Sequence, residues 1–143
     1  MLGIHIAVGF GLISLNLAAG LLGGIAWFRK QPSIPFWYLL RAAQASVFLQ
    51  ALLGGLLVVT GHEPKEELHY LYGILPLFVS FIAEGARFGA AERELGDVDP
   101  ESIPESEREA VVEAVLRREM GIMVVSCWVI FFLALRAAFT SGL

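Results

Sequence analysis

Three histidines are the residues of this chain best suited to chemistry, and the sequence predicts that all three lie at one end of the fold. His5 opens the first apolar run, His62 falls in a polar turn, and His69 opens the third apolar run. Ionisable side chains within or beside a bilayer are costly and are therefore candidates for function. Two neutral imidazoles at one depth on separate helices can ligate a b-type heme inside a helical bundle.

Four charge-free runs indicate that the elements carrying these histidines cross a membrane. The chain is 57% hydrophobic and 17% charged, whereas soluble domains carry roughly 25% charged residues. The charge-free runs are residues 6–28, 42–61, 70–83 and 120–135. A span needs about 20 apolar residues. We therefore expect one all-α domain over residues 1–143, an integral membrane four-helix bundle with spans at about 4–28, 36–60, 67–88 and 118–139.

The basic residues predict the orientation of the bundle. Lys65 and Arg136 fall at the histidine end. The other basic residues fall at the opposite end: Arg29, Lys30, Arg41, Arg87, Arg93, Arg108, Arg117 and Arg118. The positive-inside rule then places both termini outside a prokaryotic plasma membrane and the loop 89–117 in the cytoplasm. Residues 89–103 are expected to be a loop, and 104–139 one helix that continues the fourth span into the cytoplasm.

Helical periodicity predicts a face of small and polar residues on the first and third spans. On the first span this face carries His5, Gly9, Leu12, Asn16, Gly20 and Gly23. On the third it carries His69, Gly73, Pro76, Ser80, Glu84 and Arg87. Small residues let a helix or a flat ring approach the backbone. Two interpretations stay open: a helix-packing seam, or a seam in which Gly9 and Gly73 leave room for a porphyrin.

The heme interpretation assigns a role to six residues. His5 and His69 are the expected axial ligands of the iron, and Gly9 and Gly73 flank the ring. Arg136 and Lys65 are the cations available to the propionates at this end. The alternatives are that the histidines are interfacial polar residues, or that His5, His62 and His69 bind Zn or Cu.

Polar residues inside the spans also give two pairing predictions. Asn16 and Gln50 each fall near the middle of a span, so their amides are expected to bond to each other. Glu84 and Arg87 are spaced i, i+3 near the inner end of the third span and are expected to form an ion pair.

One stretch resembles a known family. Residues 50–61 read Q-A-L-L-G-G-L-L-V-V-T-G, and Leu68 and His69 follow within eight residues. This is similar to the heme A synthase family, in which a Q-x-x-L-G-G-x-x-V-x-x-G helix precedes a short outer turn and a helix opened by a heme-ligating histidine. The resemblance covers roughly residues 2–88. It implies a half-length, four-span heme-binding bundle with His69 and His5 as the axial ligands.

The sequence departs from that family where the chemistry would occur. The family's catalytic half has a glutamate one turn before the first histidine and an arginine directly after it, but here Leu2 and Ile6 hold these positions. The family's outer-loop cysteine pair is also missing, because Cys127 in the fourth span is the single cysteine. The resemblance therefore implies a heme-binding scaffold, and catalytic activity is not expected.

These observations favour a small membrane protein that binds heme b for electron transfer or heme handling, alone in the bilayer, as a homodimer, or within a larger membrane complex. One alternative is a non-enzymatic accessory or assembly subunit of a respiratory complex, docking through its apolar stripe 111–116 and acidic segment 92–109. A second is a heme A synthase-like oxidase. Nucleic-acid binding is not expected, because the net charge is −4 and no basic patch is present.

Overall fold

The computed structural model describes residues 1–141, and these contain helices and turns but no strand. In chain order the helices are α1 (Leu2–Phe28), α2 (Ile34–Val59), α3 (Leu68–Phe88), α4 (Ala90–Leu95) and α5 (Glu105–Thr140), with a 3-10 turn at Pro100–Ser102. α1, α2, α3 and α5 are each long and apolar enough to cross a membrane. The shortest of these, α3, has 21 residues, which corresponds to about 32 Å at 1.5 Å per residue. The prediction of an all-α chain with four such helices is confirmed.

The four long helices pack antiparallel to their chain neighbours. α1 contacts α2 and α5 extensively, α3 packs mainly on α5, and α2 and α3 contact each other much less. The N-terminal ends of α1 and α3 therefore meet the C-terminal ends of α2 and α5 at one end of the bundle, here called the histidine end. The opposite end holds the turn between α1 and α2 and the entry of α5.

The buried core is concentrated away from the histidine end. The larger cluster includes Phe36, Leu40, Met123 and Cys127, and the smaller one is formed by four residues, Leu12, Val47, Ile130 and Ala134. Packing is therefore tightest in the half of the bundle opposite the histidines.

Glycines allow the close helix packing in the half of the bundle opposite the histidines. A Cβ added at Gly23 would lie 2.5 Å from Cδ2 of Phe36 and 2.8 Å from Cγ2 of Val124. A Cβ added at Gly121 would lie 2.9 Å from Nε1 of Trp27. Gly20 and Gly23 are both buried on α1. The part of the small-residue face that lies away from the histidine end is therefore a helix-packing seam.

The segment between α3 and α5 differs in part from expectation. Residues 89–103 were predicted to be a loop, but residues 90–95 form a helix, because the run A-A-E-R-E-L favours helix until Gly96 ends it with a positive φ of 56°. The short helix is tied to α5 by an ion pair of 2.8 Å between Glu94 and Arg118. α5 then runs without a break from Glu105 to Thr140. α3 likewise remains helical through the buried Pro76.

Candidate functional site

The structure brings His5 and His69 together at the histidine end. Their ring centroids are 6.2 Å apart and the ring planes meet at 65°. His5 lies in the first turn of α1, and His69 is the second residue of α3. Both side chains are half-buried. Two helices that share few direct contacts therefore meet through a pair of imidazoles.

The orientation of His69 is fixed by the backbone of α5. Nδ1 of His69 lies 2.9 Å from the carbonyl oxygen of Ala137. A carbonyl oxygen can only accept, so Nδ1 carries the proton and donates it. Nε2 of His69 is then left with its lone pair. This is the arrangement found around metal-binding histidines, in which the second ring nitrogen donates to a carbonyl or a carboxylate.

His5 is held by a glutamine on α2. Nε2 of Gln50 lies 3.2 Å from Nε2 of His5. Nδ1 of His5 and Oε1 of Gln50 are buried and have no hydrogen-bond partner among the described residues. Rotating the Gln50 amide by 180° exchanges its nitrogen and oxygen, but Nδ1 of His5 still has no partner. A buried polar group without a partner costs about 1–3 kcal/mol. The histidine end therefore has polar atoms whose hydrogen-bonding capacity is not used by the described residues.

Small residues surround the two imidazoles. A Cβ added at Gly54 would lie 3.4 Å from Cε1 of His5, and one added at Gly73 would have nothing within 4 Å. A Cβ added at Gly9 would lie 3.1 Å from Nε2 of Gln50. The space beside Gly9 is thus filled by the Gln50 amide, whereas the space beside Gly73 is open.

The remaining predicted residues lie around this pair. Arg136 is exposed, with its guanidinium 5.8 Å from the centre of the Tyr72 ring. Lys65 is exposed in the turn between α2 and α3. His62 is also exposed and contacts Oγ1 of Thr60 at 3.3 Å. Within residues 1–141 no group of three or more His, Cys, Asp or Glu side chains is arranged to hold a metal ion. His5, His62 and His69 therefore do not form the alternative Zn or Cu site.

The spacing of the two imidazoles can be compared with that of two histidines that share one metal ion. Imidazole nitrogens bind metals at about 2 Å, so two rings on opposite sides of one ion have their centres about 6 Å apart. The observed separation of 6.2 Å matches that value. Nε2 of His69 is oriented as a ligand nitrogen, whereas Nε2 of His5 becomes available only when the Gln50 amide moves off it.

A charged cluster lies at the opposite end of the bundle. The predicted pair is present, with Arg87 and Glu84 2.9 Å apart. Sequence periodicity missed three further members: Arg41 and Gln44 donate to the same Glu84 carboxylate, and Glu119 lies 3.4 Å from Arg87. The carboxylate of Glu84 is therefore bonded to α2 as well as α3, and the cluster joins α2, α3 and α5.

The expected bond between Asn16 and Gln50 is absent. Nδ2 of Asn16 instead donates to the carbonyl oxygen of Leu12 on its own helix, at 2.9 Å. Nε2 of Gln50 instead contacts His5, so the two amides have different partners. A periodic pattern shows that both amides face inward, but it does not identify the neighbour that each one meets.

Comparison with protein-family models, with curated proteins and with solved structures found no match to this chain. The resemblance to the heme A synthase family therefore rests on the Q-x-x-L-G-G stretch and the histidine that follows it.

Proposed function

We propose that this chain is a multi-pass membrane protein that binds heme b through His5 and His69, for electron transfer or heme handling. The observation that carries the proposal is the pairing of the two imidazoles, 6.2 Å apart, with Nδ1 of His69 donating to the Ala137 carbonyl. Bound heme b would supply one-electron redox chemistry at its iron.

The residues around the pair have separate tasks in this proposal. The Ala137 carbonyl fixes the tautomer and the ring direction of His69. Gln50 holds His5 facing into the bundle before the cofactor is bound. A flat ring would lie on the side of Gly73, where a Cβ would have nothing within 4 Å.

Charge supports the proposal at the edges of the site. Arg136 and Lys65 are the two basic residues at the histidine end, and they would pair with the heme propionates. The other eight basic residues lie toward the opposite end. The positive-inside rule then supports an orientation with both termini outside a prokaryotic plasma membrane and the first half of α5 in the cytoplasm.

Oxidation of a heme methyl group is not part of the proposal. Leu2 and Ile6 stand where the resembling family has a glutamate and an arginine. Neither side chain can take up a proton or stabilise a developing charge. The proposed protein therefore holds heme and does not modify it.

The proposal is tested by titrating hemin into the full-length, detergent-purified apoprotein and following the Soret band. His5→Ala and His69→Ala should each weaken binding at least tenfold and shift the band, since each removes an axial ligand. His62→Ala is the matched control, because His62 is exposed and contacts Thr60 instead of the pair. Equal Soret titrations for all three variants and the wild type would overturn the ligand assignment.

A further inference from the structure

A cavity lies at the end of the bundle opposite the histidines, between the α1–α2 turn and the first half of α5. Its volume is about 350 Å³, and its walls include Trp27, Lys30, Trp37, Met120 and the first turns of α5. Small-molecule sites have volumes of about 300–1,000 Å³. The α1–α2 turn joins two helices that can each span a bilayer, so the cavity lies at the level of the membrane surface.

The α5 wall of this cavity consists of two parallel rows of side chains spaced four residues apart. The apolar row is Val112, Leu116 and Met120, and the charged row is Glu109, Glu113 and Arg117. Four residues along a helix rise about 6 Å. Arg117 is nearest to the charge-free run that starts at residue 120. Moving away from the bilayer along this charged row, one meets first a cation and then two carboxylates.

A second cation faces the cavity from the α1–α2 turn. Lys30 has a positive φ of 56°, and the N–H of Gln31 donates to the carbonyl of Ala26 at 3.0 Å. This helix-ending turn normally uses glycine, because a side chain at positive φ is sterically strained. The chain thus carries a lysine at a position where backbone geometry alone favours glycine.

The four charges around the cavity are not neutralised by partners. Among residues 1–141, none of Lys30, Arg117, Glu109 and Glu113 forms an ion pair. Two positive and two negative groups therefore face one cavity. A purely anionic ligand would be repelled by the two carboxylates, whereas a ligand with both charges would be complementary to the wall.

The aromatic side chains disfavour a zwitterion that carries a quaternary ammonium group. A quaternary ammonium group is recognised by free aromatic faces. Here the guanidinium of Arg117 lies 5.9 Å from the centre of the Trp27 ring, and that of Arg87 lies 5.9 Å from the centre of Trp37. With both rings next to a cation, the carboxylates are the remaining acceptors, and they favour an ammonium that carries N–H donors.

We propose that this cavity binds the headgroup of phosphatidylethanolamine. The phosphate lies against Arg117 and Lys30, the primary ammonium lies farther out against Glu113 and Glu109, and the acyl chains follow the apolar row toward the bilayer. The order of charges along α5 is the order of phosphate and ammonium in this lipid. The site is separate from the histidine end and does not depend on heme.

The test measures lipid retention by native mass spectrometry. Full-length protein in detergent is mixed with equal amounts of phosphatidylethanolamine, phosphatidylcholine and phosphatidylglycerol that carry identical acyl chains. Phosphatidylethanolamine should be retained about tenfold better than either competitor, which corresponds to one charge-assisted contact. Equal retention of the three lipids, or highest retention of phosphatidylglycerol, would overturn the proposal.

Three variants test the phosphate contacts and the ammonium contacts separately. Arg117→Gln and Lys30→Gly should each reduce retention of phosphatidylethanolamine about tenfold, and Lys30→Gly relieves backbone strain, so its effect is not a folding defect. Glu113→Gln should lose the preference over phosphatidylglycerol while it still retains lipid. Arg108→Gln is the control, because Arg108 pairs with Glu105 at 2.7 Å and does not line the cavity. Unchanged retention in Arg117→Gln and Lys30→Gly, or an unchanged preference in Glu113→Gln, would refute the assignment.

Discussion

Replacing Gly23 with alanine should destabilise the bundle, although alanine is the better helix former. The added Cβ would lie 2.5 Å from Cδ2 of Phe36 and 2.8 Å from Cγ2 of Val124. Phe36 is 0% exposed and its ring is 5.3 Å from that of Trp37, so it cannot move away freely. Overpacking of this kind costs about 1–3 kcal/mol. The gain in helix propensity offsets about 0.8–1.0 kcal/mol.

The net effect is therefore a loss of up to about 2 kcal/mol, or a Tm lower by up to about 8 °C. Gly24→Ala is the matched control on the next residue, because its Cβ would lie 3.8 Å from Cγ1 of Val124. That variant should keep the wild-type Tm or exceed it.

The single cysteine of the chain can report the unfolding of both variants. Cys127 is the single cysteine and is 0% exposed in the same core cluster as Phe36. A fluorogenic maleimide reacts with it only when the bundle opens, so a thermal ramp in detergent gives Tm directly. If Gly23→Ala unfolds at or above the temperature of Gly24→Ala, the description of α1 as a closely packed seam is wrong.

Three further predictions follow from the charged cluster, the glutamine and the orientation. Glu84→Gln removes a carboxylate that binds side chains of α2 and α3 and should cost about 2 kcal/mol, measured with the same maleimide ramp, whereas Glu92→Gln at an exposed position should be neutral. Gln50→Leu should weaken hemin binding about tenfold while leaving Tm within a few degrees, and an unchanged titration would remove Gln50 from the site. The orientation is tested with single-cysteine variants in which the native cysteine is replaced by serine. Lys65→Cys should react with an impermeant maleimide added outside intact cells, and Gln31→Cys should not. The reverse labelling pattern would show that the proposed orientation is inverted.

The two ends of the bundle differ in how they are held together. At the end opposite the histidines, Phe36 and Met123 are fully buried, and the Glu84 carboxylate links α2 to α3. Toward the histidine end the buried cluster is smaller and ends at Ala134, and Nδ1 of His5 has no hydrogen-bond partner within residues 1–141. The end opposite the histidines therefore contributes most of the packing that holds the four helices together.

Much of this fold could be predicted from hydropathy alone. Charge-free runs of the length of a bilayer determine where α1, α2, α3 and α5 must lie, because backbone polar groups in lipid have to be satisfied within a helix. The proximity of His5 and His69 also followed, since both open spans that begin at the same end.

Side-chain partners could not be predicted in the same way. Helical periodicity assigns a residue to a face, but the neighbour depends on the rotation and the height of each helix. Gln50 therefore bonds to His5 instead of Asn16, and Glu119 joins Arg87 from a helix more than thirty residues away in sequence. The Ala137 carbonyl could not have been identified from residue type, because every residue has a carbonyl.

The most direct test of the heme proposal is a visible spectrum of the wild-type protein purified in detergent from heme-replete cells, oxidised and then reduced with dithionite, together with a pyridine hemochrome assay. A sharp pair of α and β bands on reduction and a hemochrome typical of heme b are the expected results. A colourless protein that also fails to take up added hemin would contradict the assignment of His5 and His69 as iron ligands.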